Sequence, residues 1–87
     1  MPAYRIVRKQ AFDKDVAKAT GRDPIFAERV EKRIAKLGER PKHHGYHAGG
    51  RIRCNWVAGI GDWAIIYQVD DTGGRVTFLR FVSLDNL

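Results

Sequence analysis

Three consecutive segments in the C-terminal third limit the possible folds most strongly, because each has the pattern of a β-strand. They read RIRCNWV (51–57), GDWAIIYQVDD (61–71) and RVTFLRFV (75–82). The first alternates polar and apolar residues, which predicts a strand with one exposed face. The second is apolar on both faces at its centre, which predicts a strand inside the sheet. The sequence DDTGG before the third predicts a tight hairpin connection.

The N-terminal half adds one short strand and two helices. YRIV (4–7) alternates like a strand, and residues 11–20 have one apolar helical face that Gly21 is placed to end. A second helix is predicted to begin at Asp23 and Pro24 and to be closed by Gly38. The expected fold is therefore α+β in the order β-α-α-β-β-β, with two helices packed on a mostly antiparallel four-stranded sheet. A length of 87 residues predicts a single domain spanning residues 1–87.

The charge is concentrated in the first part of the chain. Residues 1–55 hold 14 basic and 6 acidic side chains, whereas residues 56–87 hold 2 and 4. Such a basic surface favours a polyanionic partner, either nucleic acid or an acidic protein. The chain has no apolar run of the roughly 20 residues that a membrane span needs, and its single cysteine cannot form an internal disulfide. We therefore expect a cytoplasmic protein without a membrane partner.

All three histidines lie in the segment PKHHGYHAGG (41–50). A zinc site needs three or four ligands of defined geometry, and neither the lone Cys54 nor a neighbouring carboxylate completes one, so we expect no metal. Two interpretations remain open. The segment is either a catalytic or RNA-contacting loop, or a solvated connection between helix and sheet whose histidines are incidental.

Arg80 is the unusual residue of the last predicted strand. Simple alternation places it on the same side as Val76 and Phe78 and opposite Phe81. An arginine on an apolar face is costly to bury without a partner. Arg80 is therefore expected either to pair with an acid such as Asp62 or to lie on a hydrated, functional face.

The segments GDWAIIYQVDD and RVTFLRF resemble the C-terminal hairpin of the RelE/ParE toxin superfamily, and the Asp-Trp pair is most similar to the YafQ-like branch. The resemblance implies the toxin of a type II toxin–antitoxin pair, acting as a ribosome-dependent mRNA endoribonuclease without metal or cofactor. Its partners would be an antitoxin protein and mRNA on the ribosome. Two alternatives stay open. One is a non-nuclease toxin of the same fold, either gyrase-directed and ParE-like or able only to bind its antitoxin, and the other is a basic RNA-binding module.

Metal-free RNA cleavage needs a base, an acid and cations at the phosphate, which histidine and arginine supply. Residues of these types, with one orienting carboxylate, form the predicted catalytic set: Arg80, His44, His47, Asp62 and Arg53. Further cations are predicted to contact RNA: Arg51, Lys42, Lys36 and Arg33. The chain departs from the YafQ-like pattern at Leu84 and Ala58, where the resemblance implies histidines. The missing C-terminal histidine favours the non-nuclease alternative, whereas the loop histidines and the sheet arginines favour the nuclease.

Overall fold

The computed structural model describes residues 4–47 and 55–86. In this part of the chain the elements are, in order, β1 (Arg5–Arg8), α1 (Gln10–Thr20), α2 (Pro24–Glu39), β2 (Tyr46–His47), β3 (Trp56–Ile60), β4 (Trp63–Asp70), β5 (Arg75–Ser83) and a 3-10 turn (Leu84–Asn86). The predicted strand at 51–57 is therefore described only at its C-terminal end, where β3 continues to Ile60. The predicted site residues Arg51 and Arg53 lie outside the described residues.

The strands form one mixed sheet in the order β1-β5-β4-β3-β2. β1 pairs with β5 in parallel, and the other neighbours are antiparallel. The predicted α+β class and element order are confirmed, but the sheet has five strands rather than four because two residues of the histidine segment pair with β3 as β2. β4 lies inside the sheet as predicted, and Ala64 to Tyr67 are all buried.

The helix boundaries follow from local chemistry at two of the four ends, the start of α2 and the end of α1. Asp23 accepts a hydrogen bond from the Phe26 N–H at 3.0 Å, as expected of an N-cap, and Pro24 occupies the first turn of α2. Gly21 ends α1 with a positive φ of 45°. The prediction for Gly38 is wrong, because α2 continues through it to Glu39.

Gly38 has a packing function instead. A β-carbon at this position would lie 2.6 Å from Ile6 Cδ1, and the Gly38 carbonyl accepts a hydrogen bond from the Tyr4 N–H at 2.9 Å. Glycine therefore allows β1 to lie directly against the end of α2.

The core lies between the two helices and one face of the sheet. Phe12 and Val16 of α1 pack against Tyr67 and Phe78 of the sheet. So does the apolar stripe of α2, whose residues recur at three- and four-residue steps: Val30, Ile34 and Leu37. Phe12 and Phe78 are fully buried, with ring centroids 5.3 Å apart. The opposite face of the sheet carries a small second cluster of Val57, Ala64 and the partly buried Val82.

A β-bulge in β5 corrects the expected orientation of Arg80. Ile66 pairs with Arg80 but the next residue of β4, Tyr67, pairs with Phe78, so Leu79 is an extra residue in β5. As a result Phe81, not Arg80, joins Val76 and Phe78 in the core. The prediction from simple alternation was wrong because one inserted residue reverses the faces of all residues that follow it.

Candidate functional site

Arg80 forms an ion pair with Asp15 of α1. Its Nε donates to Asp15 Oδ2 at 2.7 Å and its Nη2 donates to Oδ1 at 3.2 Å. The same Oδ2 accepts the Phe81 N–H at 3.1 Å. The predicted pairing of Arg80 with Asp62 is therefore wrong. β1 pairs with β5 only through Phe78, so the edge of β5 beyond this point is open to a side chain from α1.

The electrostatics of this pair favour the charged forms. Partial burial raises the pKa of Asp15, but hydrogen bonds from Arg80 and from the Phe81 N–H outweigh it and hold that pKa below its usual value. The Arg80 side chain remains 56% exposed, whereas that of Asp15 is 20% exposed. Arg80 is thus a fixed but accessible cation.

A groove of about 400 Å³ separates α1 from the end of β5. We call it the α1–β5 groove; it is lined by Asp15, Lys18, Ala19, Trp63, Arg80, Phe81, Val82 and Ser83. The Trp63 ring stacks on Phe81 with centroids 5.2 Å apart. The groove therefore combines two cations with an aromatic wall, a composition suited to a phosphorylated or nucleotide ligand.

The loop histidines lie next to β2, an edge strand that is three strands away from β5 and Arg80 in the sheet. Register places Tyr46, Val57, Ile66 and Arg80 in one cross-strand row. Three strand spacings of ~4.8 Å separate its ends, or about 14 Å between the backbones of Tyr46 and Arg80. In the described part of the chain, no hydrogen bond joins Arg80 to a histidine. The predicted catalytic residues His44 and His47 are therefore not assembled around Arg80.

Asp62 is also separate from Arg80. It occupies the turn between β3 and β4, where its carbonyl accepts the Leu84 N–H at 2.9 Å. The adjacent pair Trp63–Ser83 lies three residues from Arg80 along β5, which corresponds to about 10 Å at ~3.3 Å per residue.

The histidine segment is held in place by buried contacts at its start. The Tyr67 hydroxyl donates to the Pro41 carbonyl at 2.6 Å, and burial raises the pKa of Tyr67 to about 12. Gly45 packs so closely that a β-carbon there would lie 2.0 Å from Tyr67 Oη. Lys42, a predicted RNA contact, forms an ion pair with Asp71, which also accepts the Tyr4 hydroxyl. Pro41 and Gly45 therefore anchor the segment against Tyr67 of the sheet, in contrast to a freely solvated connection.

Four cations of α2 form a second charged surface, which we call the α2 basic surface: Arg29, Lys32, Arg33 and Lys36. They line a shallow depression of about 150 Å³ beside Ile60. Arg33 donates to the Gly59 carbonyl at 2.9 Å, which fixes the surface against β3. Lys32 pairs with Glu28 at 3.2 Å; among the described residues, the other three cations make no ion pair.

His44 lies beside this surface. Partial burial lowers the pKa of His44, and the charges of His43, Lys36, Arg33 and Arg40 lower it further. His44 is therefore within the electrostatic influence of Lys36 and Arg33, whereas Lys42 pairs with Asp71 and Arg80 pairs with Asp15.

The prediction missed Asp15, which is the closest partner of Arg80. Nothing in the local sequence distinguishes Asp15 from Asp13 on the same helix, because the contact joins residues 65 positions apart. Within residues 4–47 and 55–86, no three histidine, cysteine or acidic side chains cluster as metal ligands would. No helix of these residues is both long and apolar enough to cross a membrane.

The structure resembles solved toxin structures over almost the whole chain. One is a chain of the toxin–antitoxin complex RelBE2 from Mycobacterium tuberculosis, with a TM-score of 0.79, 23% identity and coverage of 94% of this chain and 99% of that one. A YoeB/ParE toxin from Agrobacterium tumefaciens has a TM-score of 0.75, 14% identity and coverage of 91% and 96%. YafQ from Escherichia coli has a TM-score of 0.67, 18% identity and coverage of 95% and 96%.

No protein-family model and no curated protein sequence matches the chain. The chain nevertheless has the fold of the RelE/ParE toxin superfamily, so the resemblance found in the sequence is confirmed at the level of fold. YafQ is one of several neighbours, and the fold does not single out its branch.

Proposed function

We propose that this protein is the toxin of a type II toxin–antitoxin pair and that it cleaves mRNA on the ribosome without a metal ion. The observation that carries the proposal is Arg80, an accessible guanidinium held at the open edge of β5 in a chain with the fold of RelE-type toxins. Guanidinium binds phosphate through two parallel N–H groups, which suits the charge that builds on a scissile phosphate.

In this proposal the chain divides the work between two surfaces. The α2 basic surface contacts the RNA backbone without regard to sequence, because phosphate contacts supply most of the electrostatic affinity. Arg80 stabilises the pentacovalent phosphate in the transition state. Such electrostatic stabilisation is usually the largest single contribution to catalysis, and loss of one donor typically costs ~10²–10³ in rate.

The proposed protein partner is an antitoxin that covers the α1–β5 groove. Beyond Phe78 the edge of β5 is not paired with β1, and extended peptides bind to such sheet edges. An acidic or amphipathic segment would complement Lys18 and Arg80 of the groove. A co-purified partner that left Arg80 accessible and the complex active on RNA would rule out inhibition by direct coverage.

A second candidate function, a toxin of the same fold that does not cut RNA, is favoured by one observation. The loop histidines adjoin β2, and the backbones of Tyr46 in β2 and Arg80 in β5 lie about 14 Å apart, given strand spacings of ~4.8 Å. Moreover, the YafQ-like pattern implies histidines at positions 58 and 84. Position 58 is instead an alanine that is 1% exposed, and position 84 is a leucine. General acid–base catalysis by histidine would then be lacking, and gyrase or another target would account for toxicity.

Inducible expression followed by mapping of RNA ends, with and without a translation inhibitor, separates the two candidates. Ribosome-dependent cleavage predicts new RNA 5′ ends within coding sequences that disappear when translation is blocked. Toxicity with intact mRNA would overturn the nuclease proposal and leave the second candidate.

A further inference from the structure

Asp15 and Arg80 are joined through one particular edge of the guanidinium group. A guanidinium has five N–H donors in a fixed planar arrangement. Asp15 accepts from Nε and from Nη2, which is the side edge of the group. The end edge, formed by Nη1 and the second N–H of Nη2, donates to no group in the described part of the chain. This end edge is the one that can bind a phosphate through two parallel bonds.

Arg8 provides a contrast within the same protein. Its Nε donates to Asp13 at 2.6 Å, and its Nη1 and Nη2 donate to Glu31 at 2.8 and 3.2 Å. Both edges of that guanidinium are occupied, and its side chain is 30% exposed compared with 56% for Arg80. Arg8 therefore joins β1, α1 and α2, whereas Arg80 keeps its end edge available.

The carboxylate of Asp15 is itself fixed. Oδ2 accepts the backbone N–H of Phe81 in addition to the Nε of Arg80. Phe81 is 2% exposed and packs in the core against Phe12 and Trp63. The orientation of Arg80 is thus determined by the rigid core through Asp15, since an arginine side chain would otherwise sample many rotamers.

We propose that Asp15 is a positioning residue: it holds the side edge of Arg80 so that the end edge faces an RNA phosphate in the α1–β5 groove. The inference rests on the proposed function, because it assigns Arg80 to the phosphate. It adds a residue that does not touch the substrate but determines where the guanidinium lies. The opposite hypothesis is that Asp15 competes with the phosphate and restrains the toxin.

The variant Asp15→Asn tests this inference with little change in shape. Its amide oxygen can still accept the Phe81 N–H and the Arg80 Nε–H, which share Oδ2 in the wild type. Its NH₂ group replaces Oδ1 and can no longer accept from Arg80 Nη2, and the negative charge is lost. The matched control is Asp13→Asn, which removes an arginine–aspartate pair from the same helix without touching Arg80. We expect Asp15→Asn to lower kcat for RNA cleavage about 10–100-fold, as supporting residues commonly do, while Asp13→Asn stays near the wild type. Increased cleavage by Asp15→Asn would establish competition and overturn the inference.

Two further measurements distinguish positioning from a loss of stability. In an Arg80→Lys background there is no planar edge to orient, so adding Asp15→Asn should produce little further loss of cleavage. An equal loss in both backgrounds, accompanied by a matching fall in melting temperature, would show that Asp15 is merely structural.

An NMR measurement decides the inference even if the wild-type protein cuts no RNA. The Arg80 Nε–H should give a signal protected from solvent exchange in the wild type and in Asp13→Asn, but not in Asp15→Ala, which removes both acceptor oxygens. Titration with an RNA that lacks the reactive 2′-hydroxyl should shift the Arg80 Nη signals of the wild type. Absence of cleavage with these NMR results would refute only the nuclease proposal, whereas an unprotected Nε–H or unshifted Nη signals would refute the role of Asp15.

Discussion

The hydroxyl group of Tyr67 makes the contact that we expect to contribute most to holding the start of the histidine segment. It donates to the carbonyl of Pro41 at 2.6 Å, and both residues are buried. Tyr67→Phe keeps the ring in the core but leaves the Pro41 carbonyl without a donor. An unsatisfied buried acceptor costs about 1–3 kcal/mol. For a domain of this size, ~4–8 °C per kcal/mol predicts a melting temperature lower by about 4–24 °C.

A double-mutant cycle with Gly45 makes the prediction more specific. In Gly45→Ala the new β-carbon would lie 2.0 Å from Tyr67 Oη and 2.8 Å from the Val57 carbonyl, so we expect overpacking to cost about 1–3 kcal/mol or more. Tyr67→Phe removes the nearer atom. Gly45→Ala should therefore cost less in the Tyr67→Phe background, with a coupling of about 0.5–3 kcal/mol, as is found for residues in contact.

Chemical denaturation of the four proteins of this cycle measures the coupling, and Tyr46→Phe serves as the control because the Tyr46 side chain is exposed. The denaturation slopes should stay the same, so that differences in midpoint report stability alone. Free-energy changes that add within about 0.3–0.5 kcal/mol would refute the proposed contact between Gly45 and the Tyr67 hydroxyl. Equal effects of Tyr67→Phe and Tyr46→Phe would refute the importance of the buried hydrogen bond.

Two further predictions concern charged residues, and a third concerns the need for a metal ion. Replacing all four cations of the α2 basic surface by glutamine should weaken ribosome association and reduce its salt dependence. Co-sedimentation at several salt concentrations measures both effects. An unchanged slope of log affinity against log salt concentration would contradict a phosphate contact at this surface. Partial burial raises the pKa of Asp15, but the hydrogen bonds to its carboxylate outweigh burial and lower the pKa below the unfolded value of ~3.9. The ionised carboxylate therefore stabilises the folded protein fully above about pH 4. This stabilisation is lost as the pH falls through the folded pKa. Acid unfolding followed by circular dichroism should then be less steep for Asp15→Asn below about pH 4, and identical profiles would contradict this. Cleavage should persist when EDTA, kept below the Mg²⁺ concentration that holds the ribosomes intact, removes transition-metal ions. Loss of cleavage under this condition would indicate a metal requirement.

Local sequence signals predicted the elements well, because each depends on neighbours in the chain. The cap at Asp23, the end of α1 at Gly21 and the interior position of β4 all follow from residue type and spacing. Gly38 was misassigned because the reason for the glycine is its contact with Ile6, more than thirty residues away. That contact has no local signature.

The candidate site was predicted less well than the fold, for two physical reasons. The bulge at Leu79 reverses which residues of β5 face the core, and an inserted residue cannot be recognised from alternation in one strand. The partner of Arg80 is then Asp15, whose position depends on how α1 packs against the edge of β5. Residue types suggested an arginine and histidines as functional groups, but only the sheet register shows that they lie several strands apart.

The central claim, that Arg80 acts on the phosphate of ribosome-bound mRNA, is tested most directly by cleavage of programmed ribosomes with purified protein. The wild type, Arg80→Ala and Arg75→Ala should be compared, since Arg75 is an arginine of the same strand that also pairs with an aspartate, Asp70. Arg80→Ala should lower the cleavage rate by ~10²–10³ while its fold is preserved, and Arg75→Ala should cut like the wild type. Equal cleavage by Arg80→Ala and Arg75→Ala, or a loss in Arg80→Ala that only matches a loss of folded protein, would contradict the account.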